Sequence, residues 1–218
     1  MAKGNPAVKD TIEALGVPHT EVDVISVNGE SVGFYHQLKN RDRVKVYPPQ
    51  FKFRNKKIIR LQPLWPKSLR FILDVHLGKL VKHLRLLGFD CLYKKDWSDE
   101  EIIKVVKRGR RILLTRDIGL LKNNIVRFGY FVRSIQPDKQ IQEILKKFDL
   151  HKRIKSFSRC IQCNGLIQRV VKAAIQHLLM PETKLYYKKF YRCSRCKKIY
   201  WQGSHFQKLS RFVSQFTK

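Results

Sequence analysis

The chain has 218 residues, 43% of them hydrophobic, which excludes a disordered chain and allows one sizeable core or two to three small ones. No apolar run approaches the ~18 residues of a membrane span. The formal charge of +29 is uneven: residues 1–47 are neutral, 48–67 carry +6, 68–150 carry +8, and 151–218 carry +15 with Glu182 as their single acid.

A generic lysine-rich drift would not spare the first segment, so the excess reads as the footprint of a polyanion binder. No basic amphipathic helix with an aromatic face stands out, so a membrane is not the expected partner. Met1 to Lys9 lack the apolar core of a signal peptide, and a soluble cytoplasmic protein is the expectation.

Residues 1–47 read as a small αβ unit. Val8, Ile12 and Leu15 have helical spacing, and Gly16 followed by Pro18 stops the helix. Val22, Val24, Ile25 and Val27 form a strand, Asn28-Gly29 is a turn, and Val44, Val46 and Tyr47 form a last strand before Pro48-Pro49. The unit resembles the back half of the ubiquitin-like β-grasp fold of small sulfur carriers. Only five residues precede the helix, too few for an opening hairpin, so the unit is truncated or leans on another surface. It lacks a terminal Gly-Gly, which argues against sulfur-carrier activity, and it is a possible docking surface for a protein partner. Residues 48–69, basic and punctuated by Pro48, Pro49, Pro63 and Pro66, read as a linker or a surface-hugging strap.

Residues 70–150 alternate strands and helices. Strands are expected at 71–75, 91–93, 111–115 and 130–132. Helical faces run through Leu77, Leu80, Val81, Leu84 and Leu87, capped by Gly88, and through Ile102, Ile103, Val105 and Val106, ended by Gly109. A short helix or turn lies at 119–123, and Ile141, Ile144, Leu145 and Phe148 mark a last helix. The alternation predicts an α/β fold with a parallel sheet and flanking helices. Cys91, in a short apolar run, is expected to be a buried thiol.

Sites in such sheets form beyond the carboxyl ends of the strands. Asp74 ends the first strand, Asp96, Asp99, Glu100 and Glu101 follow the second, and Asp117 lies just past the third. In a segment of net positive charge, gathering acids at one rim is costly unless a cation neutralises them. Hard oxygen ligands suit Mg²⁺ or Mn²⁺. Such ions clamp a scissile phosphate and activate water. Each acid also has a plainer reading: Asp74 a paired structural acid, Asp117 a cap for the following turn, Glu101 half of a Ser98-x-x-Glu101 capping box, and Asp96 a loop residue. Asp99, sharing a helical face with Ile102, is expected to point inward, with Glu100 as its alternative.

Residues 151–218 change character. Cys160/Cys163 and Cys193/Cys196 are two C-x-x-C knuckles, a strong signal for structural Zn²⁺ with every position filled by protein. His205 is not needed as a ligand. Around them stand aromatic residues and the cations Lys188, Lys189, Arg192, Arg195, Lys197 and Lys198, expected to hold nucleic-acid phosphates, with a basic C-terminal tail beyond.

The run Phe71-Ile72-Leu73-Asp74-Val75-His76-Leu77-Gly78-Lys79-Leu80, then Leu86-Leu87-Gly88-Phe89-Asp90, Asp99-Glu100-Glu101 and Arg111-Ile112-Leu113-Leu114-Thr115-Arg116-Asp117, resembles the Mut-seven carboxyl-terminal RNase family. The resemblance implies a PIN-like domain over 70–150, an appended zinc ribbon over 151–218 and often a β-grasp unit in front. It also implies Asp74, Asp99 and Asp117 as metal-site acids. PIN nucleases often use a fourth acid, and Asp138, the one candidate, fits better as a helix N-cap. The expected function is a metal-dependent endoribonuclease acting on RNA. The alternatives are a non-catalytic RNA-binding or ribosome-associated protein, and a toxin-like or sulfur-transfer regulatory module using the β-grasp remnant.

Overall fold

A computed structural model of the chain describes residues 5–49, 51–53 and 57–217. Residues 1–4 of the expected N-terminal unit, and residue 50 and residues 54–56 of the expected strap, lie outside the described residues. The chain divides into two compact units: one runs to His76 and continues over Lys94–Val132, and the other holds Leu77–Tyr93 and everything from Arg133 onward.

The first unit opens on helix α1 (Val8–Ala14), whose Val8 and Ile12 join Val22, Ile25 and Val27 in a small buried core. Strands β1 (Val24–Val27), β2 (Glu30–Val32) and β3 (Val44–Tyr47) form an antiparallel sheet of order β2-β1-β3. The Asn28-Gly29 turn works as its sequence suggests: both residues have positive φ, +52° and +94°, the handedness a tight hairpin needs. Strand β2 was not foreseen, because three residues with one exposed glutamate give too short a pattern.

Within this unit residues 60–62, near the far end of the expected strap, bond to Asp23 just ahead of β1. Leu61 N–H donates to the Asp23 carbonyl at 2.7 Å, Gln62 N–H to Asp23 Oδ1 at 3.1 Å, and Arg60 pairs with the same carboxylate. Asp23 is buried, and the strap supplies the partners that make its burial tolerable.

A mixed α/β region follows, with a four-stranded sheet of order β5-β4-β6-β7, built from β4 (Arg70–Leu73), β5 (Asp90–Leu92), β6 (Ile112–Thr115) and β7 (Gly129–Phe131). Strand β6 runs parallel to β4 and to β7, with Leu73 opposite Leu114 and Thr115 opposite Phe131. Phe71, Ile72, Leu73 and all four residues of β6 are buried, the continuous apolar run of a strand covered on both faces. Helices α2 (Gly78–Leu86), α3 (Asp99–Arg108), α4 (Ile118–Lys122) and α5 (Pro137–Lys147) lie where the periodicity puts them. Helix α3 starts on the expected capping box between Ser98 and Glu101. The N-terminal piece leans on this sheet within the first unit: Phe131 N–H on edge strand β7 donates to Glu21 Oε1 at 3.1 Å, and His19 Nε2 lies 3.0 Å from the Val126 carbonyl oxygen.

In the second unit α2 packs against α5. Gly88 ends α2 at φ +95°, and a Cβ there would sit 2.2 Å from the Lys155 carbonyl oxygen, so both conformation and space demand glycine. Helix α5 begins at Pro137 with Gln136 as N-cap, which corrects the expectation for Asp138: it lies in the first turn instead. Strands β8 (Ile167–Val170), β9 (Phe190–Cys193) and β10 (Ile199–Trp201) form an antiparallel ribbon of order β10-β9-β8, with helix α6 (Pro181–Tyr186) between β8 and β9. The expected basic tail folds as helix α7 (Ser204–Ser214). Among the described residues no helix is long and apolar enough to cross a membrane.

Candidate active site and metal centre

Strands β4 and β6 are neighbours although β5 lies between them in sequence, so strand order reverses there. Sites in parallel sheets form at such a switch point, beyond the carboxyl ends of both strands. Asp74 directly follows β4 and is 3% exposed. Its amide stays in the ladder, donating to the Leu114 carbonyl at 3.2 Å. Its carboxylate is well solvated by protein: His76 N–H donates to Oδ1 at 2.8 Å, Arg116 N–H donates to Oδ2 at 3.0 Å, and the buried Thr115 hydroxyl also donates to Oδ2. Three of about four acceptor positions are thus used, and His76 Nδ1 stands 3.4 Å from Oδ1, the oxygen that carries the fourth.

Thr115 reaches both acids. While its hydroxyl serves Asp74, its oxygen accepts the Asp117 N–H at 2.8 Å. Asp117 is exposed, and its Oδ1 caps α4 by accepting Gly119 N–H at 2.7 Å and Leu120 N–H at 3.3 Å. The capping reading of Asp117 therefore holds, and Oδ2 takes no part in these bonds. Asp99 is the first residue of α3 and is exposed, as is Glu100. The inward orientation expected of Asp99 is not found: Ile102 is 1% exposed, but the helix start carries Asp99 into solvent. Asp96 is a loop residue, exposed. Sequence reasoning passed over Thr115 and His76, whose Nδ1 lies 3.4 Å from Asp74 Oδ1. The spacing Thr115-x-Asp117 at a strand end, a hydroxyl two residues ahead of an acid, was the available signal.

Among the described residues, the one group of three or more metal-type ligands with all ligand atoms within 4.8 Å of one another is Cys160, Cys163, Cys193 and Cys196. The acids form no such group. The Cys160–Cys196 and Cys163–Cys193 sulfurs are 3.6 and 3.4 Å apart. A tetrahedron with ~2.3 Å metal–sulfur bonds has edges of ~3.8 Å, so these two pairs need to open by only a few tenths of an ångström to fit a four-thiolate site. Backbone amides aim at the sulfurs, Cys163 N–H at Cys160 Sγ (3.5 Å) and Arg195 N–H at Cys193 Sγ (3.4 Å). Burial raises the Cys160 thiol, but hydrogen bonds led by the Tyr200 hydroxyl outweigh it and bring it down to about 7. Burial pushes the Tyr200 phenol up, and its bond to Cys160 adds to that, so it serves as a donor.

The knuckle is anchored to its own unit by a buried cation. Arg85 donates twice to the Cys91 carbonyl (3.0 and 2.8 Å) and to the carbonyls of Ile161 and Gln162 (3.0 and 2.9 Å). Asn164 accepts Cys91 N–H at 3.0 Å and donates to Asp90 at 2.9 Å. Cys91 is buried, as expected.

Of the cations expected to hold phosphate, Lys188, Lys189, Arg195, Lys197 and Lys198 are exposed and Arg192 is half-buried. Several are partly spent on the ribbon itself: Arg192 Nε donates to the Lys197 carbonyl, Lys197 Nζ to that of Ser194, and Arg195 Nη1 to that of Cys163. The first unit holds a second basic surface that sequence reasoning missed, a groove of about 570 Å³ lined by Lys107, Arg108, Arg110, Arg111 and Arg127. It lies at the amino end of β6, roughly 13 Å of strand from the rim bearing Asp74 and Asp117.

Residues 69–213 match the family described as the Mut7-C RNAse domain, and residues 1–54 match the Mut7-C ubiquitin domain. No curated protein and no solved structure matches the chain.

Proposed function

The chain belongs to the Mut7-C RNAse domain family, and on that premise we propose that it is a metal-dependent endoribonuclease cutting RNA phosphodiesters at the carboxyl ends of β4 and β6. The observation that carries this is the buried carboxylate of Asp74 at the switch point of a parallel sheet, tied through the Thr115 hydroxyl to the backbone amide of Asp117. Asp74 and Asp117 would hold Mg²⁺ or Mn²⁺, with Asp99 or Glu100 as a further oxygen donor. The donor set suits these ions, which keep several waters and need only one or two carboxylates before substrate phosphate completes the shell. When bound, the ion supplies an activated water and charge neutralisation at the phosphate. Thr115 and the amides of His76 and Arg116 fix the Asp74 carboxylate in one orientation. The exposed His76 ring lies beside that carboxylate, with Nδ1 3.4 Å from Oδ1. The four cysteines would hold one Zn²⁺ structurally, and the cations of both units would bind the RNA backbone.

The test is cleavage of a single-stranded RNA with Mg²⁺ or Mn²⁺ by Asp74→Asn and Asp117→Asn. Each is expected to lose at least about a hundredfold in rate while still binding RNA. Cleavage persisting in both variants contradicts the proposed centre.

A second reading has its own support. The acids form no tight group, and Asp117 already serves as a cap. On that reading the chain is a non-catalytic RNA binder. Filter binding with and without Mg²⁺ separates the two: salt-sensitive retention with no product at any metal concentration favours the binder.

A further inference from the structure

The ribbon carries a cavity that the thiol cluster does not explain. Its volume is about 640 Å³, within the usual range for small-ligand pockets. Its wall includes two ring pairs, Tyr187 with Trp201 (centroids 6.3 Å apart) and Phe157 with Phe206 (4.7 Å). These rings are not the ribbon's core. Phe190 fills that place at 0% exposure, while Trp201 stands 38% exposed. Arg169 and Lys198 also line the cavity, and both are exposed. Arg159, on the same wall, is turned to Asp90 at 3.6 Å and is less free to meet a ligand. With Glu182 as the single acid after residue 150, this region has almost no internal anion to offer its cations.

Flat rings beside unspent positive charge suit a ligand that is itself both flat and anionic. A nucleotide has both properties. An acidic peptide would use the cations and leave the rings idle. We propose that this cavity takes one unpaired base of an RNA strand, stacked on Trp201 and Tyr187, with its flanking phosphates on Arg169 and Lys198. The ribbon then favours single-stranded RNA, since a base inside a duplex must first be unpaired and unstacked to enter. The proposal rests on RNA as the polyanion but not on cleavage by the carboxylates.

The test uses the full zinc-loaded chain without Mg²⁺, titrated onto a single-stranded oligoribonucleotide carrying 2-aminopurine and onto its duplex. Trp201→Ala is expected to weaken single-strand binding about tenfold and to abolish the change in 2-aminopurine fluorescence, with duplex binding changed less than about twofold. Trp201→Phe, keeping a ring, is expected to retain most of the affinity. Arg169→Ala is expected to lower the slope of log affinity against log salt by about 0.7 on the single strand. Zinc content, measured on each variant, reports folding of the ribbon. Should Trp201→Ala lose its zinc, the Arg169→Ala slope decides: a drop supports the proposal and an unchanged slope overturns it. Folded Trp201→Ala that binds the single strand like the parent, or that loses single strand and duplex equally, also overturns it. A chain that shows this pattern but cuts no RNA once Mg²⁺ or Mn²⁺ is added refutes the nuclease reading alone.

Discussion

Thr115 touches both acids of the proposed centre, donating to Asp74 and accepting from the amide of Asp117. Thr115→Val keeps the shape but removes both bonds and leaves a 3%-exposed carboxylate short of a donor. An expected loss of about 1–3 kcal/mol in chemical denaturation follows, with Thr115→Ser close to the parent. A Val variant as stable as the parent contradicts the bridging role. The individual acids were readable in the sequence because a carboxylate at the end of an apolar strand is conspicuous. Their bonding was not. Asp117 as a helix cap and Asp99 in solvent depend on where helices α4 and α3 begin, which one residue of slippage changes. Arg85 was invisible for another reason: it sits beside the apolar positions of α2, and nothing local says that its partners are carbonyls more than seventy residues away.

At the scale of elements, the α/β alternation was readable because buried parallel strands give unbroken apolar runs and α2, α3 and α5 give clean helical faces. Helix α7 was missed although Phe206, Leu209, Val213 and Phe216 have helical spacing, because their interleaved cations suggested a tail. Its docking yields a pH prediction. Phe212 stacks on His83 of α2 with centroids 4.5 Å apart, and His83 Nδ1 is buried with no hydrogen-bond partner. Burial pushes the imidazole below its ordinary value of 6.5; Asp138 opposes this, and Lys79 and Lys82 add to it. A depressed histidine binds its proton more readily in the unfolded chain, so stability is full above pH 6.5 and falls as pH drops from there towards the lower folded value. Thermal melts from pH 8 to 5 are expected to show an acid loss that His83→Phe reduces. Equal slopes in both proteins contradict it. The ribbon yields another: a four-thiolate site contributes folding energy, so a strong chelator is expected to remove one zinc per chain and to lower the ribbon's melting temperature, with recovery on adding Zn²⁺ back. A melt indifferent to chelation contradicts the zinc assignment.

For the whole molecule, each unit carries its own cationic surface, the five-cation groove in the first and the knuckle and cavity in the second. The segmental charge count foresaw the excess but not the groove, because Lys107–Arg111 and Arg127 are brought together by the fold and not by sequence. Two cationic surfaces suit a long polyanion better than a small metabolite, and the proposed cutting is assigned to neither of them but to the rim where Asp74 and Asp117 stand. The direct test of that centre is a crystal soaked in Mn²⁺ with anomalous scattering recorded. A two-carboxylate metal centre puts a peak within coordinating distance of both the Asp74 and Asp117 carboxylates. A map with no peak there, or with Mn²⁺ bound only where neither acid touches it, rules that centre out.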